Sequence, residues 1–599
     1  MRVILFLLKS IVAIFAVIGL MVVSLVALLF IAADRIEEWE PAREELPAAM
    51  VLELDLAAGV SELASDNLLA AAGRARPIVL RDAVEALKAA ESDERVEGLL
   101  IRAGRGDMGL AQMQELRAAI ASFRQSGKFA VAFAESFGEG GNGTLHYYLA
   151  SVADEVWLQP SGDVAITGFL LESPFVRDAL DEIGVKPRLA QREEYKGAAD
   201  IFTADEMPEP LRENRQRLVD SWLGQMARDV AGSRGLSREE VQLLVDNAPH
   251  LARDALQGGL IDQLGYWDEV RAHVEERSGD SERVGVMRYA STRDKPDLAD
   301  APAVALIHGV GAVSLAESQS EPFFGEVVMG SDTIVRAVDD ALEDADVKAI
   351  VLRVNSPGGS YVASDAIWRA VGRATERGVP VIVSMSDVAA SGGYFVAAPA
   401  TRIVAQPGTV TGSIGVVSGK FVLDELWDDL GINFDGVQAG SRADIWSFNR
   451  DFTPAQWLTL QQQLNAIYED FTGKVAEGRN LSRQQIEDVA KGRIWTGEDA
   501  RANGLVDALG GYREAVALAK EEAGIDAETQ VRLTPFPKPR DPFRAVVEDF
   551  FGSGLGSSPA ARALVRLMHT LAPLVETLER VQADPRENRL RVDGVDLAE

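Results

Sequence analysis

The sequence predicts an α/β protein built from two similar domains in tandem, and three observations carry that prediction. The chain has 599 residues, too many for one ordinary core at about 150 residues per domain. Short β-branched runs alternate with helical stretches, the pattern of parallel strands joined by helical crossovers. The whole pattern also occurs twice. Gly-Leu-Ile-Asp-Gln-Leu-Gly-Tyr from Gly259 returns as Gly-Leu-Val-Asp-Ala-Leu-Gly-Gly from Gly504, 245 positions later, and Leu236-Ser237-Arg238 returns as Leu481-Ser482-Arg483 at the same separation. Tyr148-Leu149-Ala150-Ser151 matches Phe395-Val396-Ala397-Ala398 at a separation of 247. So long a period means duplicated domains rather than a solenoid, whose repeats run about 20–50 residues.

In chain order, the first element is a run from Ser10 to Ala33 without a charged residue. At 1.5 Å per residue it is long enough for the roughly 30 Å hydrocarbon core of a bilayer, so it reads as a transmembrane helix. Arg2 and Lys9 precede it, while Asp34, Glu37, Glu38 and Glu40 follow. That cation bias puts residues 1–9 in the cytoplasm and the bulk of the chain outside it. The first repeat, 46–290, begins with strand-like runs Met50 to Leu56, Val96 to Arg102 and Phe129 to Phe133. A polar linker, 291–302, carries Lys295-Pro296-Asp297. The second repeat, 303–535, repeats the order with Val304 to Ile307, Val347 to Val354 and Val381 to Met385. Pro535, Pro537, Pro539 and Pro542 then interrupt regular structure. They open a tail, 536–599, in which Leu564, Leu567, Met568 and Leu571 have the spacing of an amphipathic helix.

Composition narrows the chemistry. With 60 Lys+Arg against 92 Asp+Glu, the formal net charge is −32, which disfavours nucleic acid as a partner. The absence of cysteine excludes disulfides, thiolate metal sites and cysteine nucleophiles. No metal-ligand spacing and no dinucleotide-binding glycine pattern occurs, so no cofactor is expected.

Two segments of the second half carry reactive potential. Val354-Asn355-Ser356-Pro357-Gly358-Gly359-Ser360 follows a strand-like run, and its glycines free the backbone to turn and to aim amide N–H groups at a ligand. Ala389-Ala390-Ser391-Gly392-Gly393-Tyr394 leaves the Ser391 hydroxyl open among small neighbours. Acyl transfer needs such a nucleophile beside donors for a developing oxyanion. Gly359 and Gly392, with Gly358 beside them, are the candidate donors. None of the five histidines (His146, His250, His273, His308, His569) sits in a recognisable motif; a triad assembled in space stays open, and lysine is the other known base for a serine.

Together with Thr411-Gly412-Ser413-Ile414-Gly415, these segments resemble the long form of the bacterial signal peptide peptidase A family, also called protease IV. The resemblance spans roughly residues 46–535 and includes the N-terminal anchor. It implies the fold of the Clp protease and crotonase superfamily, two tandem ββα-superhelix repeats, and a serine–lysine dyad with the serine in the second repeat and the lysine in the first. Glu194-Tyr195-Lys196-Gly197-Ala198 resembles the family's lysine motif, so Lys196 takes the role of base, and Ser413 resembles the serine that orients it. At a shift of 247, Ser391 faces Thr144 and Lys196 faces Ala443, so neither half holds both groups. A lysine with an ordinary pKa near 10.4 is neutral in about one molecule in 2,500 at pH 7. Burial therefore has to lower it, and Glu193 and Glu194 have to turn to solvent.

The resemblance implies a serine endopeptidase of the bacterial inner membrane, acting on signal peptide remnants and similar apolar peptides, and a homo-oligomer, expected to be a tetramer. Two other classes compete: a crotonase-type acyl-coenzyme A enzyme, and a non-catalytic membrane scaffold holding peptides between the repeats. Lys196 reaching Ser391 within one chain and reaching it from a neighbouring copy both fit the sequence.

Overall fold

A computed structural model describes residues 45–63, 77–279, 281–294, 296–320 and 327–538. The transmembrane helix expected at 10–33, residues 1–9, expected in the cytoplasm, and the amphipathic helix expected in the tail lie outside the described residues. Among the described residues no helix is long and apolar enough to cross a membrane.

The fold is mixed α/β, with two sheets formed by successive parts of the chain, the first parallel and the second parallel except for one antiparallel strand at its edge. The first takes β1 (Met50–Asp55), β2 (Val96–Arg102), β3 (Phe129–Ala134) and β4 (Glu155–Leu158). After an outlying strand, β5 (Lys186–Arg192), it adds β6 (Gln263–Leu264) and β7 (Glu282–Gly285), in the order β6-β4-β3-β2-β1-β7. The second takes β8 (Ala303–Val310), β9 (Val347–Ser356), β10 (Val381–Ala390), β11 (Arg402–Ala405) and β12 (Val410–Gly412). After another outlying strand, β13 (Val416–Val422), come β14 (Ile494–Thr496), β15 (Ala508–Leu509) and β16 (Arg532–Phe536). The path β15-β11-β10-β9-β8-β16 of the second sheet traces the same order as the first, and β12 and β14 extend it beside β10.

Burial on both faces explains why these strands read as continuous apolar runs. In β8, Ala303, Ala305 and Ile307 face one cluster that includes Ile350, Leu352, Val383 and Tyr394. Val304 and Leu306 face the other, with Val351, Ile382 and Tyr512. The repeated Gly-Leu-(Ile/Val)-Asp segment does the same work in both sheets. Asp262 accepts Val156 N at 2.7 Å and pairs with Arg234 at 2.7 Å. Asp507 accepts Ile403 N at 2.7 Å and pairs with Arg479 at 2.6 Å. Tyr147 and Tyr394 donate to the carbonyls of Leu260 and Leu505 at 2.7 and 2.8 Å.

Two boundaries differ from the sequence expectation. Strand β10 runs five residues beyond Met385, to Ala390, and so delivers Ser391 directly from its end. Pro535 does not open the tail but sits inside β16, opposite Leu306. An edge strand tolerates a proline because one side of its backbone needs no partner.

Contacts along both sheet edges and through the interior tie the halves together. Strands β5 and β13 pair antiparallel, from Val416 with Arg192 to Val422 with Lys186. The long helix Glu209–Arg234 crosses to the other sheet edge, where the Asn214 amide accepts Ile494 N and donates to Ile494 O, both at 2.8 Å. Farther along it, Trp222 Nε1 donates to the Gly408 carbonyl at 2.9 Å. In the interior, the fully buried Arg353 bonds Glu62 at 2.9 Å and Glu115 at 2.9 Å, both from the first half. Removing Arg353 would leave two buried carboxyl groups without their cation, at a cost of about 3–5 kcal/mol.

Candidate active site

Ser391 is the N-cap of the short helix Gly392–Phe395, with φ +54° and ψ −119°. A non-glycine residue rarely adopts a positive φ, and such backbone costs on the order of 1–3 kcal/mol unless its surroundings impose it. Here Ser391 N donates to Gly412 O at 2.8 Å, while Ser391 O accepts Tyr394 N and Phe395 N. The conformation turns the side chain away from the strand toward the first half.

The Asn355-to-Gly359 turn lies against it. Gly358 has φ +104°, and a Cβ there would stand 2.7 Å from Gly392 N and from Ser391 Cβ. Only glycine permits that approach. Its own amide is taken, donating to Ser356 Oγ at 3.2 Å. Gly358, grouped on sequence with Gly359 and Gly392 as a candidate donor, therefore has its amide engaged within the turn and does not offer it to a ligand. The amides of Gly359 and Gly392 have no acceptor among the described residues, and a Cβ on Gly392 would lie 3.1 Å from Gly359 N. Two free N–H groups thus stand side by side next to the serine.

Lys196 comes from the first half. The β5/β13 ribbon places Arg192 opposite Val416, so the residues after β5 meet those before β13, where Ser413 lies. Tyr195 N donates to Lys491 O at 3.1 Å, and Gly492 N donates to Ile414 O at 2.8 Å. Gly415 and Gly492 make room: a Cβ would fall 3.0 Å from Lys196 Cδ in the first case and 2.4 Å from Lys196 N in the second.

Lys196 Nζ stands 2.9 Å from Ser391 Oγ, 2.9 Å from Ser413 Oγ and 2.8 Å from the Ser413 carbonyl, all within one chain. The side chain is buried, and burial alone lowers its pKa to about 7. Glu194 is exposed and pairs with Lys491 at 3.3 Å, and neither neighbouring carboxylate acts on the amine. Ser413 is itself held at φ +51°, with its N–H on the Arg493 carbonyl at 2.6 Å.

The histidines are engaged elsewhere. His146 bonds the Gly106 carbonyl, His250 the Leu244 carbonyl and His308 the Tyr512 hydroxyl, and His273 pairs with Glu155. His569 lies outside the described residues. No three His, Asp or Glu side chains among the described residues are placed to hold a metal ion. A cavity of about 320 Å³ between the halves is walled by Glu62, Gln112, Asn355 and Asp387, and by neither Ser391 nor Lys196.

Sequence reasoning missed Gly492 and Asn214. The first carries a usable signal, a glycine between Lys491 and Arg493 just before a strand. The second, one polar residue within a helix, carries none.

An open serine hydroxyl, an amine in contact with it and paired free amides make up the equipment of a serine-type hydrolase. Comparison with known proteins gives the family. Residues 122–280 and 373–526, one stretch in each half, match the model of "Peptidase family S49". "Protease 4" of Salmonella typhi is 33% identical over 522 residues, covering 84% of this chain and 81% of its own. "Serine protease SPPA, chloroplastic" of Arabidopsis thaliana is 30% identical over 516 residues, covering 84% and 72%. "Protease 4" of Haemophilus influenzae is 31% identical over 479 residues, covering 76% and 75%. The chain belongs to peptidase family S49 and is a protease of the signal peptide peptidase A type.

Proposed function

We propose that the chain is a membrane-tethered serine endopeptidase in which Ser391 is the nucleophile, Lys196 the general base and Ser413 the residue that orients the lysine. The observation that carries this reading is the 2.9 Å contact between Lys196 Nζ and Ser391 Oγ, with the amine buried and its pKa near 7. A neutral amine has two N–H bonds and one lone pair. Its three contacts fit that count: the hydrogens go to the carbonyl and hydroxyl of Ser413, and the lone pair accepts the Ser391 proton. About half the molecules hold the amine neutral at pH 7, against about one in 2,500 for an ordinary lysine.

The chemistry follows. As Lys196 takes the proton, Ser391 Oγ bonds to the scissile carbonyl carbon, and the carbonyl electrons move onto oxygen, where the N–H groups of Gly359 and Gly392 receive the charge. The Lys196 ammonium then protonates the leaving amine as the C–N bond breaks, giving an acyl-enzyme. Water, deprotonated by the same amine, releases the acid and returns the proton to Ser391.

Apolar signal peptide remnants and similar peptides are the proposed substrates, encountered at the bacterial inner membrane with the peptidase on its extracytoplasmic side. The support is the charge-free run Ser10 to Ala33, since tethering raises the effective concentration of a lipid-partitioned substrate. Matching sheet paths and matching Asp–Arg pairs support reading the halves as tandem Clp/crotonase-like repeats, the first supplying the lysine and the second the serine.

The homo-oligomer belongs to the same reading. Residues 169–175 and 433–439 have no main-chain partner among the described residues, and they expose Leu170, Phe434 and Val437. These are the surfaces where copies are proposed to join.

Turnover of a leader peptide by wild type and Ser391→Ala tests the central assignment. Loss of cleavage in the variant is expected, and undiminished cleavage would refute the nucleophile.

A further inference from the structure

Strand β10 carries an irregularity just before the serine. Against β9 it pairs Val354 with Met385 and then Ser356 with Ala389, so it uses four positions where its neighbour uses two. Bulges of this kind bend a strand and re-aim the side chains that follow. The residues opposite Asn355, namely Ser386, Asp387 and Val388, are each tied down. Ser386 Oγ donates to Glu62 Oε1, and Val388 N donates to Asn355 Oδ1 at 3.2 Å, on the strand leading into the Gly358-Gly359 turn. Asp387 Oδ1 accepts the main-chain N–H groups of Ala111 at 2.8 Å and Gln112 at 3.2 Å, in the first turn of α1 (Leu110–Gln125) of the first half.

This last contact is built for closeness. Gly109 precedes the helix, and a Cβ there would lie 2.1 Å from Asp387 Cγ. Helix N-terminal amides favour an anion. The other charged groups around the carboxyl are Glu62, which opposes its ionisation, and Arg353, which favours it; Asp107 shares the cavity wall. Burial outweighs the rest and pushes the Asp387 carboxyl up to about 6.

We propose that Asp387 is a positioning residue for the peptidase reaction: held by the first turn of α1, its carboxylate sets the β10 bulge and with it the placement of Ser391 against Lys196. The two dyad members come from different halves, and Asp387 is where a helix of the lysine's half grips the strand of the serine. Protonation takes away the charge that the helix amides hold, and the grip weakens. The acid side of the kcat profile then falls with two protons, the Lys196 ammonium and the Asp387 acid, rather than one.

This inference rests on the serine–lysine reading above. In Asp387→Asn, kcat is expected to drop about 10-fold to 100-fold, the size of effect a misplaced reacting group produces. KM should stay within about threefold, because substrate contacts are untouched. The acid limb should change from two protons to one. Gly109→Ala, which keeps the carboxylate but displaces it from the helix, should show the same fall in kcat. An Asp387→Asn enzyme with kcat within about twofold of wild type overturns the proposal. Should that variant fail to fold, the wild-type profile between pH 5 and 7 decides: a one-proton limb overturns the proposal and a two-proton limb upholds it. Ser391→Ala, run alongside, separates the two readings. If it stays active the dyad itself fails, whereas its inactivity beside an unimpaired Asp387→Asn enzyme removes only the role given to Asp387.

Discussion

Where the third strand of each sheet ends, the two halves use the same main chain and opposite chemistry. In the first half the helix Thr144–Ala150 is capped by Gly143, whose N–H bonds the Ala165 carbonyl at 2.8 Å. In the second, the helix Gly392–Phe395 is capped by Ser391, whose N–H bonds the Gly412 carbonyl at 2.8 Å. Gly143 thus holds the main-chain cap position that Ser391 holds in the second half, one residue before the Thr144 that sequence spacing puts opposite the serine. Thr144 lies one position inside the helix, where its hydroxyl bonds both the carbonyl and the amide of Gly168. After the second strand the contrast continues. The first half has Gly104-Arg105-Gly106 with its carbonyl bonded to His146, and Arg102 and Arg105 both pair with Glu135. The second has a Gly-Gly turn with a free amide. Two sheets can therefore follow the same path without carrying the same site, because the site depends on a few side chains and on strained backbone at Ser391 and Ser413 that the path does not require.

The largest effect that would sharpen this contrast is Ser391→Ala. Peptide turnover should fall by about 10⁴-fold or more, as for loss of a nucleophile that acts in a unit with its base. Thr144→Ala should leave turnover within about twofold, and a large loss there would break the comparison. Gly359→Ala comes next. Its Cβ would lie 2.2 Å from the Val313 carbonyl, so the turn must shift and carry its amide with it. The expected loss in kcat is about 100-fold to 1,000-fold, the price of one oxyanion donor. Steady-state kinetics checks all three.

Lys196 also leaves a mark on stability. Its folded pKa, about 7, lies below the unfolded 10.5, so between those values the unfolded chain binds more protons and stability rises with pH. Lys196→Met removes the buried amine. Relative to wild type, the variant should melt highest below pH 7, and its advantage should shrink steadily until about pH 10. Melting curves across that range provide the check, and a pH-independent difference would contradict the burial of a neutral amine.

Much of the arrangement was legible in residues that need only local physics. The apolar runs of β1, β2, β8 and β9 declare themselves because both their faces are buried, and Gly358 and Gly359 because only glycine adopts that turn. Ser391 stood out by its small neighbours. Lys196 did not. Two adjacent glutamates argue for a surface lysine, and its burial comes from Ser413, Gly415 and Gly492, which lie more than 200 positions away. Strand β5, Lys-Pro-Arg-Leu-Ala-Gln-Arg, was equally hidden, since its partner is β13 of the other half and its charged side chains point outward to ion pairs such as Arg188 with Asp451 at 2.7 Å. Resemblance to a family, not periodicity, pointed to the lysine.

In the proposed reaction an uncharged Lys196 activates Ser391 across the two halves. The rate at which a fluorophosphonate inactivates Ser391 reports that activation directly, without substrate binding or product release. With rising pH the rate should increase around a midpoint of about 7 in wild type, and Lys196→Met should abolish the increase. A rate that stays low until pH 9 or above, or one that survives in the methionine variant, would contradict the account.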